Sequence, residues 1–445
     1  MSVQEKISQF LLKYRMNPET IDLKAETQTF VQEMQLGLTD KPGSLKMLCT
    51  YIQPEGKIPL NEPVIVIDAG GTNFRVALVT FDLKQNPVIE EFKTYPMPGT
   101  QGEISLEEFF KTLVNYLMPV INRSNRIGFC FSFPTVITPE RDGVLLGFNK
   151  EVNVRGSQNA IIGEGLKAAL KQAGILEDKQ IVMLNDTVAT LFGGKAATPG
   201  RLFSSYIGFI LGTGTNACYI EQNQNIVKLP AVEAQAGSTI INIESGGYGK
   251  ISQSEFDLRL DRKTGDPGAQ KLEKMISGAY VGPLVLEMLR QAALDGLFTL
   301  ESASRLSDLQ QLSARDIDEF CLYPDSDQTV LGKCINGSSP ETNIENQLTL
   351  YSLLDACFER AARIVAVNLA AVISKSGQGK NPCYPVLIAA EGTTFYKARL
   401  FRVKLDYYVR SFLNDQLGLY CEFVKAENAT LVGTAIAGLV ATKLS

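Results

Sequence analysis

The sequence of 445 residues contains no histidine. This absence excludes the usual general base of enzymes, the usual zinc ligand and every Ser–His or Cys–His catalytic pair. A proton that is removed from a substrate at neutral pH must therefore pass to a carboxylate, or to a Lys, Tyr or Cys with an unusual pKa.

The sequence also lacks a long apolar run and a basic segment. Its nearest candidate for a membrane span, residues 361–373, contains Arg363 and Asn368 and is too short to cross a bilayer. Residues 1–9 carry two charged side chains and lead into no apolar segment, so we expect no secretory signal. The 43 basic and 48 acidic residues give a formal charge of −5, which argues against nucleic-acid binding. We therefore expect a cytoplasmic protein without membrane or nucleic-acid partners.

The composition is that of a folded protein with more than one domain. An apolar fraction of 45% with 20% charged residues is typical of folded globular chains, and the length suits about two or three domains. The eight cysteines are scattered along the chain without a CxxC pair, so we expect reduced thiols rather than disulfides.

The alternation of strand-like and helix-like segments indicates an α/β fold. A dense β-branched run at 63–68, a glycine turn at 70–73 and a strand at 74–81 predict a hairpin. The flanking segments predict helices at 7–12, 30–38, 106–121 and 160–173 and strands at 89–95, 127–133 and 181–184. The pattern then restarts, with strands at 206–211, 217–221, 384–390 and 419–424, a turn at 212–216 and helices at 271–290, 350–373 and 430–441.

Two glycine turns in similar sequence settings form an internal repeat. Residues 67–73 are Ile-Asp-Ala-Gly-Gly-Thr-Asn, and residues 210–216 are Ile-Leu-Gly-Thr-Gly-Thr-Asn. The two segments lie about one domain length apart. The repeat predicts a duplicated α/β unit, with the two turns facing each other across a cleft.

Glycine turns between strands suit phosphate binding, because backbone N–H groups can approach anionic oxygens without an intervening side chain. Two such turns could hold a polyphosphate from both sides, although ordinary hairpin turns have similar glycine-rich sequences. Asp68 ends the strand before the first turn, where it could meet a phosphate-bound Mg²⁺ directly or through water, or simply organise the turn. Asp186 follows the strand at 181–184, where it could accept the proton of an attacking hydroxyl or serve as a helix cap. The chain contains neither a Walker loop nor a GxGxxG dinucleotide motif.

Several segments together resemble hexokinases, the sugar kinases of the actin-like ATPase (ribonuclease H-like) superfamily. The matching segments run in the family's order and are MLCTYI at 47–52, DAGGTNFRV at 68–76, FSFP at 131–134, NDTV at 185–188, GTGTNA at 212–217, INIESG at 241–246 and EKMISG at 273–278. The resemblance implies two ribonuclease H-like α/β domains with an active-site cleft between them, and ATP with Mg²⁺ as phosphoryl donor.

The resemblance also implies a role for individual residues. Asp186 would take the proton from the primary hydroxyl of a hexose, and Lys150 would assist catalysis. The hexose would be bound by Ser132, Phe133, Asn149, Lys150, Asn185, Asp186, Asn216, Glu244 and Glu273. The nucleotide would be bound by Asp68, Gly70, Gly71, Thr72, Asn73, Arg75, Thr213, Gly214, Gly392 and Thr393, with Asp68 reaching the metal through water.

The chain departs from the family pattern at a few positions. Asn149 replaces a sugar-binding threonine, Ser245 stands where tryptophan is usual, and Ala279 and Val432 replace basic residues. The segment after Gly392 is one residue longer than usual. These departures leave the identity of the sugar and the nucleotide preference open.

The repeat and the resemblance together predict the domain boundaries and the activity. We assign 61–186 with 430–445 to a small α/β domain and 1–60 with 187–429 to a large one. The predicted activity is phosphorylation of a hexose, most simply glucose, by ATP. Mannose, fructose or an N-acetylated amino sugar as substrate, a sugar-sensing regulator and an actin-like filament or chaperone ATPase are the alternatives. The sequence leaves monomer and homodimer open.

Overall fold

The computed structural model describes residues 2–148, 152–337 and 339–440. Its helices are α1 (Val3–Lys13), α2 (Leu23–Gly37), α3 (Leu106–Leu117), α4 (Ile162–Gln172), α5 (Asp186–Ala196), α6 (Pro230–Glu233), α7 (Glu255–Lys263), α8 (Lys271–Ile276), α9 (Gly278–Leu294), α10 (Leu300–Asp308), α11 (Ala314–Leu322), α12 (Val330–Ile335), α13 (Pro340–Ser376), α14 (Thr393–Lys397), α15 (Arg402–Tyr408) and α16 (Ala429–Val440). Its strands are β1 (Leu48–Cys49), β2 (Val64–Ala69), β3 (Asn73–Phe81), β4 (Pro87–Pro96), β5 (Ile104–Ser105), β6 (Arg126–Phe131), β7 (Thr135–Ile137), β8 (Gly143–Leu145), β9 (Val154–Arg155), β10 (Gln180–Leu184), β11 (Ser205–Leu211), β12 (Thr215–Gln222), β13 (Ser238–Asn242), β14 (Val386–Glu391) and β15 (Cys421–Val424).

The first sheet has five strands in the order β10-β6-β2-β3-β4. Strands β10, β6 and β2 are parallel, and β2 and β3 form the predicted antiparallel hairpin. Every residue of β2 is buried, because Ile65 and Ile67 pack in one core with α3 and α4 while Val64 and Val66 pack in another with α5 and α16. A sheet that is covered on both faces explains the dense β-branched run in the sequence.

The second sheet has six strands in the order β1-β13-β12-β11-β14-β15. Here β11 pairs antiparallel with β12 and parallel with β14, which in turn pairs parallel with β15. The largest hydrophobic core lies against this sheet and includes the middle of the long helix α13. The chain thus forms two α/β sheets, each starting from a hairpin, as the repeat predicted.

Helices α5 and α16 lie between the two sheets. Helix α5 packs on β11 and β14, α16 packs on β2 and β6, and the two helices pack against each other. Glycine allows this close approach: a Cβ on Gly433 would lie 1.8 Å from the Ala189 carbonyl oxygen, and a Cβ on Gly128 would lie 2.2 Å from the Thr434 carbonyl oxygen. The two sheets are therefore joined through a layer of backbone-to-backbone contacts. The residue boundaries that we assigned to the two domains stay a prediction.

The two hairpin turns differ in construction although their sequences repeat. In the first, Ala69 pairs with Phe74 across a loop of four residues, 70–73. In the second, Leu211 pairs with Thr215 across a loop of three residues, 212–214. Consequently Asn73 lies exposed at the turn, whereas Asn216 lies half-buried within the ladder of β12. Strand pairing, which the repeated letters do not encode, sets this difference.

Most predicted elements are confirmed, with ends that move by a few residues. The predicted helix at 271–290 is wrong as a single element, because the backbone at Ser277 is extended and separates α8 from α9. The predicted strand at 127–133 ends at Phe131, and the predicted helix at 350–373 extends to Pro340–Ser376. All eight cysteines are free thiols, as expected. In the part of the chain that the structure describes, no helix combines the length and hydropathy that crossing a bilayer requires.

Candidate active site

The carboxyl ends of three parallel strands bring Asp68 and Asp186 to one edge of the first sheet. In the strand register, Cys130 of β6 lies between Asp68 of β2 and Leu184 of β10. Asp186 follows Leu184 by two residues and begins α5. The carboxyl edge of an open α/β sheet is the usual place for a ligand site.

The first turn is built to present backbone N–H groups. The N–H of Gly70 donates to the carbonyl of Asn73 at 3.0 Å and closes the loop, and the carbonyl of Thr72 accepts from the N–H of Met97 at 3.0 Å. The N–H groups of Gly71 and Thr72 have no partner among the described residues. Two adjacent donors are thus left for an anionic ligand.

The second turn also presents two backbone N–H groups, but different contacts hold it in place. The carbonyl of Gly212 accepts from the N–H of Gly278 at 2.8 Å, and the carbonyl of Thr213 accepts from the N–H of Ala279 at 3.1 Å. Both carbonyls therefore point to the start of α9, and the N–H groups of Thr213 and Gly214 find no acceptor within residues 2–148, 152–337 and 339–440. The break at Ser277 is what lets α9 begin at this turn.

Two other residues support the second turn. The hydroxyl of Thr394 donates to the carbonyl of Gly212 at 2.9 Å. Gly392 has φ +117°, and a Cβ there would lie 2.2 Å from the carbonyl oxygen of Leu211, so glycine is required. Gly392 and Thr393, two of the predicted nucleotide-binding residues, thus lie directly beside the second turn, with Thr393 exposed.

Asp68 is buried and paired. Its Oδ2 accepts a hydrogen bond of 2.7 Å from Nη1 of Arg75, its register partner across the hairpin. Burial raises the pKa of the Asp68 carboxyl, and the Arg75 guanidinium opposes that rise. Arg75 engages Oδ2, and a side-chain hydrogen bond with Cys130 also opposes the rise in the pKa.

Asn185 and Asp186 begin α5, where the cap role considered for this segment falls to Asn185. Its Oδ1 accepts from the N–H of Thr187 at 2.8 Å and from the Thr187 hydroxyl at 2.6 Å. The first turn of α5 rests on β11, since a Cβ on Gly208 would lie 2.0 Å from the carbonyl oxygen of Thr187. This contact of Thr187 brings the start of α5, and Asp186 with it, next to the second sheet.

The second sheet supplies Asn216, Glu244 and Glu273. Extending the β12–β13 register beyond its last pair, Cys218 with Asn242, places Asn216 opposite Glu244. The Asn216 amide nitrogen lies 3.3 Å from Glu244 Oε1. Glu273 is held separately, because its Oε2 accepts from the N–H of Thr215 at 2.9 Å.

The carboxylates of the two sheets interact with one another. Burial raises the pKa of Asp186 to about 7; the N–H of Thr187 opposes the rise, and the charges of Glu244 and Asp68 add to it. Burial also raises the pKa of Glu273, the N–H of Thr215 opposes this, and the charge of Glu244 adds to it. The structure therefore brings together carboxylates that are more than 200 positions apart in the sequence, Asp68 and Glu273 among them.

A small cavity separates the two sets of residues. It has a volume of about 20 Å³, room for a single water molecule, and its lining includes Asn185 from the first sheet and Asn242 and Glu244 from the second. Phe133, which is 3% exposed, also lines it and packs on Phe131.

Three predicted site residues remain, and the structure describes one of them, Ser132. The N–H of Ser132 donates to the carbonyl of Ala69 at 3.1 Å, so the segment after β6 is attached to the strand that carries Asp68. Asn149 and Lys150 lie outside the described residues.

Sequence reasoning missed Asn242 and Thr394. Asn242 ends β13, a strand buried at each residue, and a buried amide in such a strand is the signal that could have identified it. Thr394 carried no comparable signal, because its contact with the second turn arises only from the packing of α14.

Comparisons with known proteins identify the family of the chain. Two family models described as hexokinase match residues 6–196 and 206–440. The chain is 30% identical to Hexokinase-5 of Oryza sativa subsp. japonica, covering 96% of this chain and 87% of the relative. It is 28% identical to Hexokinase-1 of Schizosaccharomyces pombe, covering 94% and 87%.

The fold is also that of solved hexokinases. The structure of a hexokinase from Schistosoma mansoni complexed with glucose matches with a TM-score of 0.76 at 22% identity, over 98% of this chain and 100% of that one. A second hexokinase structure matches with a TM-score of 0.72 at 21% identity. The two-domain actin-like ATPase fold that the sequence predicted is confirmed. With family models that cover nearly the whole sequence, the chain belongs to the hexokinase family and is a sugar kinase.

Proposed function

We propose that this enzyme transfers the γ-phosphoryl group of Mg-ATP to the 6-hydroxyl of a hexose, with glucose as the preferred substrate and Asp186 as the general base. The observation that carries the proposal is the position of Asp186 at the carboxyl edge of the first sheet, where burial and the charges of Glu244 and Asp68 raise its pKa to about 7. A base with a pKa near the working pH is both available in its ionised form and strong enough to accept a proton. In a chain without histidine, this carboxylate takes the part that an imidazole plays elsewhere.

The reaction follows from these groups. The hexose oxygen attacks the γ-phosphorus in line and its proton passes to Asp186, while the bond from the γ-phosphorus to the leaving oxygen of ADP breaks. The two turns supply four N–H donors for the phosphate oxygens, those of Gly71, Thr72, Thr213 and Gly214, which have no acceptor in the described part of the chain. Donors fixed by the fold need no reorganisation as charge moves onto those oxygens.

Magnesium enters as part of the nucleotide substrate. Among the described residues, no group of three or more His, Cys, Asp or Glu side chains could hold a metal ion. The protein therefore suits a metal that the phosphates carry and that a single carboxylate contacts. Asp68 is the proposed contact, through water, since Oδ2 is taken by Arg75.

The hexose would lie against amides and carboxylates of both sheets. Asn185, Asp186, Asn216, Glu244 and Glu273 combine donors and acceptors, and each hydroxyl of a sugar both donates and accepts. We infer that sugar binding favours closure of the cleft, which excludes water and limits ATP hydrolysis. Glucose is proposed because the Schistosoma mansoni hexokinase of similar fold was solved with glucose.

A sugar panel tests the proposal. Purified protein is assayed with glucose, mannose, fructose and N-acetylated amino sugars at matched concentrations, with ADP release coupled to a chromogenic reaction and the phosphorylated carbon assigned by NMR. We expect glucose to give the largest kcat/KM and a 6-phosphate product. Turnover of another sugar in its place would overturn the glucose assignment. Sugar binding without ADP release would favour a regulator, and ATP hydrolysis that no sugar changes would favour an actin-like ATPase.

We propose the cytoplasm as the location of the enzyme. All eight cysteines are free, and five of them are buried. Free thiols in the interior are typical of proteins that fold in a reducing compartment.

A further inference from the structure

We propose that Asn242 is a positioning residue for the hexose site: its side-chain amide orients Glu244 and Asn216 without binding the sugar itself. This inference rests on the proposed role of Glu244 as a hexose ligand. It is carried by a chain of hydrogen bonds that starts at the backbone and ends at one oxygen of the Glu244 carboxylate.

Asn242 lies in the middle of the second sheet. It ends β13, it pairs with Cys218 of β12 on one side and Leu48 of β1 on the other, and it is 6% exposed. A buried amide at such a position costs stability unless its polar atoms are bonded. Both of them are, and their partners are the two proposed hexose ligands nearest to it.

The direction of each hydrogen bond is fixed by the backbone. Oδ1 of Asn216 accepts from the N–H of Ala217 at 2.7 Å and from the N–H of Ser245 at 3.2 Å. Because a backbone N–H can only donate, the Asn216 amide nitrogen must face the opposite way. It donates to Oδ1 of Asn242 at 2.8 Å. Nδ2 of Asn242 then donates to Oε1 of Glu244 at 2.8 Å.

This chain leaves the second oxygen of Glu244 for a ligand. Oε1 receives Nδ2 of Asn242 at 2.8 Å and faces the Asn216 amide at 3.3 Å, while Oε2 has no partner in the part of the chain that the structure describes. Glu244 also has a left-handed backbone, with φ 57° and ψ 48°, and its N–H lies 3.4 Å from Oδ1 of Asn242. A strained backbone persists only where neighbouring contacts hold it.

The Asn242 amide also donates to a carboxylate, Glu244, that lies among other acidic side chains. Glu244 interacts with the charges of Asp186 and Glu273. An amide donor at 2.8 Å offsets this repulsion for Glu244 without adding charge. Replacing Asn242 by an aspartate would reverse the effect, since two carboxylates at hydrogen-bond distance cannot both ionise easily.

The first test is Asn242→Ala, with Asn223→Ala as the matched control. Asn223 is likewise buried, at 2% exposure, and its Oδ1 accepts from the Thr239 hydroxyl at 2.7 Å, away from the proposed hexose ligands. We expect Asn242→Ala to raise the KM for hexose about ten- to hundredfold, the loss typical of a hydrogen bond to a charged group, with the KM for ATP nearly unchanged. The control should lower the melting temperature and leave the hexose KM as it is. An Asn242→Ala enzyme with an unchanged hexose KM would overturn the inference.

The second test is the pH profile of Asn242→Asp, which also serves if Asn242→Ala does not fold. The introduced carboxyl, when protonated, would donate to Glu244 as the amide does, so the ratio of variant to wild-type kcat/KM for hexose should rise as the pH falls from about 8 to about 6. The added carboxylate would also raise the pKa of Asp186 in the variant, which lowers the ratio as the pH falls, so this effect opposes the expected rise. A merely structural role for Asn242 would leave the ratio constant or falling as the pH drops, and either outcome would refute the positioning role.

A double-mutant cycle separates this inference from the proposed function. If Asn242 acts through Glu244, Asn242→Ala should add little to the hexose KM of Glu244→Ala, because the partner is already absent. Additive effects of the two substitutions would overturn the inference alone. An unchanged hexose KM in Glu244→Ala would instead overturn the proposed ligand role of Glu244.

Discussion

Replacing Asp186 by asparagine should abolish most activity and at the same time stabilise the protein. The substitution keeps the size and the acceptor oxygen of the side chain but removes its ability to take a proton. We expect kcat to fall by about 10²–10⁴, the usual contribution of a general base. The KM for ATP should change little, because the N–H donors proposed to hold the phosphates belong to the two turns.

The gain in stability follows from the pKa. Burial raises the pKa of Asp186 from 3.8 to about 7, so ionising this carboxyl costs more in the folded than in the unfolded protein. Three units at 1.36 kcal/mol each correspond to about 4 kcal/mol. Since Asp186 is partly exposed, solvent screening reduces this, and we expect a gain of roughly 2 kcal/mol in the free energy of unfolding at pH 8.

The sign of the pH dependence is a separate check. A carboxyl with a raised folded pKa destabilises the native state above that pKa, and the penalty disappears as the pH falls towards the unfolded value of 3.8. The stability difference between Asp186→Asn and wild type should therefore be full at about pH 8 and nearly absent at about pH 4. Wild-type kcat should fall as the pH drops through about 7, because the base becomes protonated.

Urea unfolding monitored by circular dichroism at several pH values, together with coupled ADP assays, measures both effects. A matched control is Asp142→Asn. Asp142 accepts from the N–H groups of Gly143, Gly163 and Glu164, so its amide variant should lose stability and keep kcat. Near-normal turnover by Asp186→Asn, or a loss of stability at pH 8, would refute the reasoning.

Three further predictions concern residues around the site and in the core. Gly214→Ala should raise the KM for both ATP and hexose, because its Cβ would lie 2.6 Å from Oε2 of Glu273; an effect on ATP alone would contradict this coupling. Arg75→Met should raise the KM for ATP and lower the free energy of unfolding at neutral pH. The lost stability should return on acidification, because the unpaired Asp68 is then protonated, and urea titrations at several pH values measure this recovery. Arg360→Met should lower the free energy of unfolding by about 3–5 kcal/mol, because it leaves the carboxylate of Asp257, which is 1% exposed, without its cation. Equal Tm values for the variant and the wild type would contradict this.

Much of the fold could be predicted because its signals are local. The β-branched run before the first turn indicated a strand covered on both faces, and β2 is such a strand. The glycine residues between strand-like segments indicated both hairpins. The break at Ser277 could not be predicted in this way, because it depends on two hydrogen bonds from the start of α9 to a turn more than 60 residues earlier in the chain.

The sequence by itself determined the fold class, the family, the two turns and the candidate base, since each depends on residue types at short spacings. The absence of histidine already limited the choice of base to carboxylates and a few unusual groups. Whether the assigned hexose contacts bind sugar stays a prediction.

Tertiary structure alone decided the properties that depend on distant residues. The pKa of Asp186 is raised because burial removes water and because Glu244, from the other sheet, adds its charge. The orientation of Glu244 depends on Asn242 and Asn216, which strand pairing brings to it. Desolvation and strand register are properties of packing between segments, so residue spacing along the chain does not contain them.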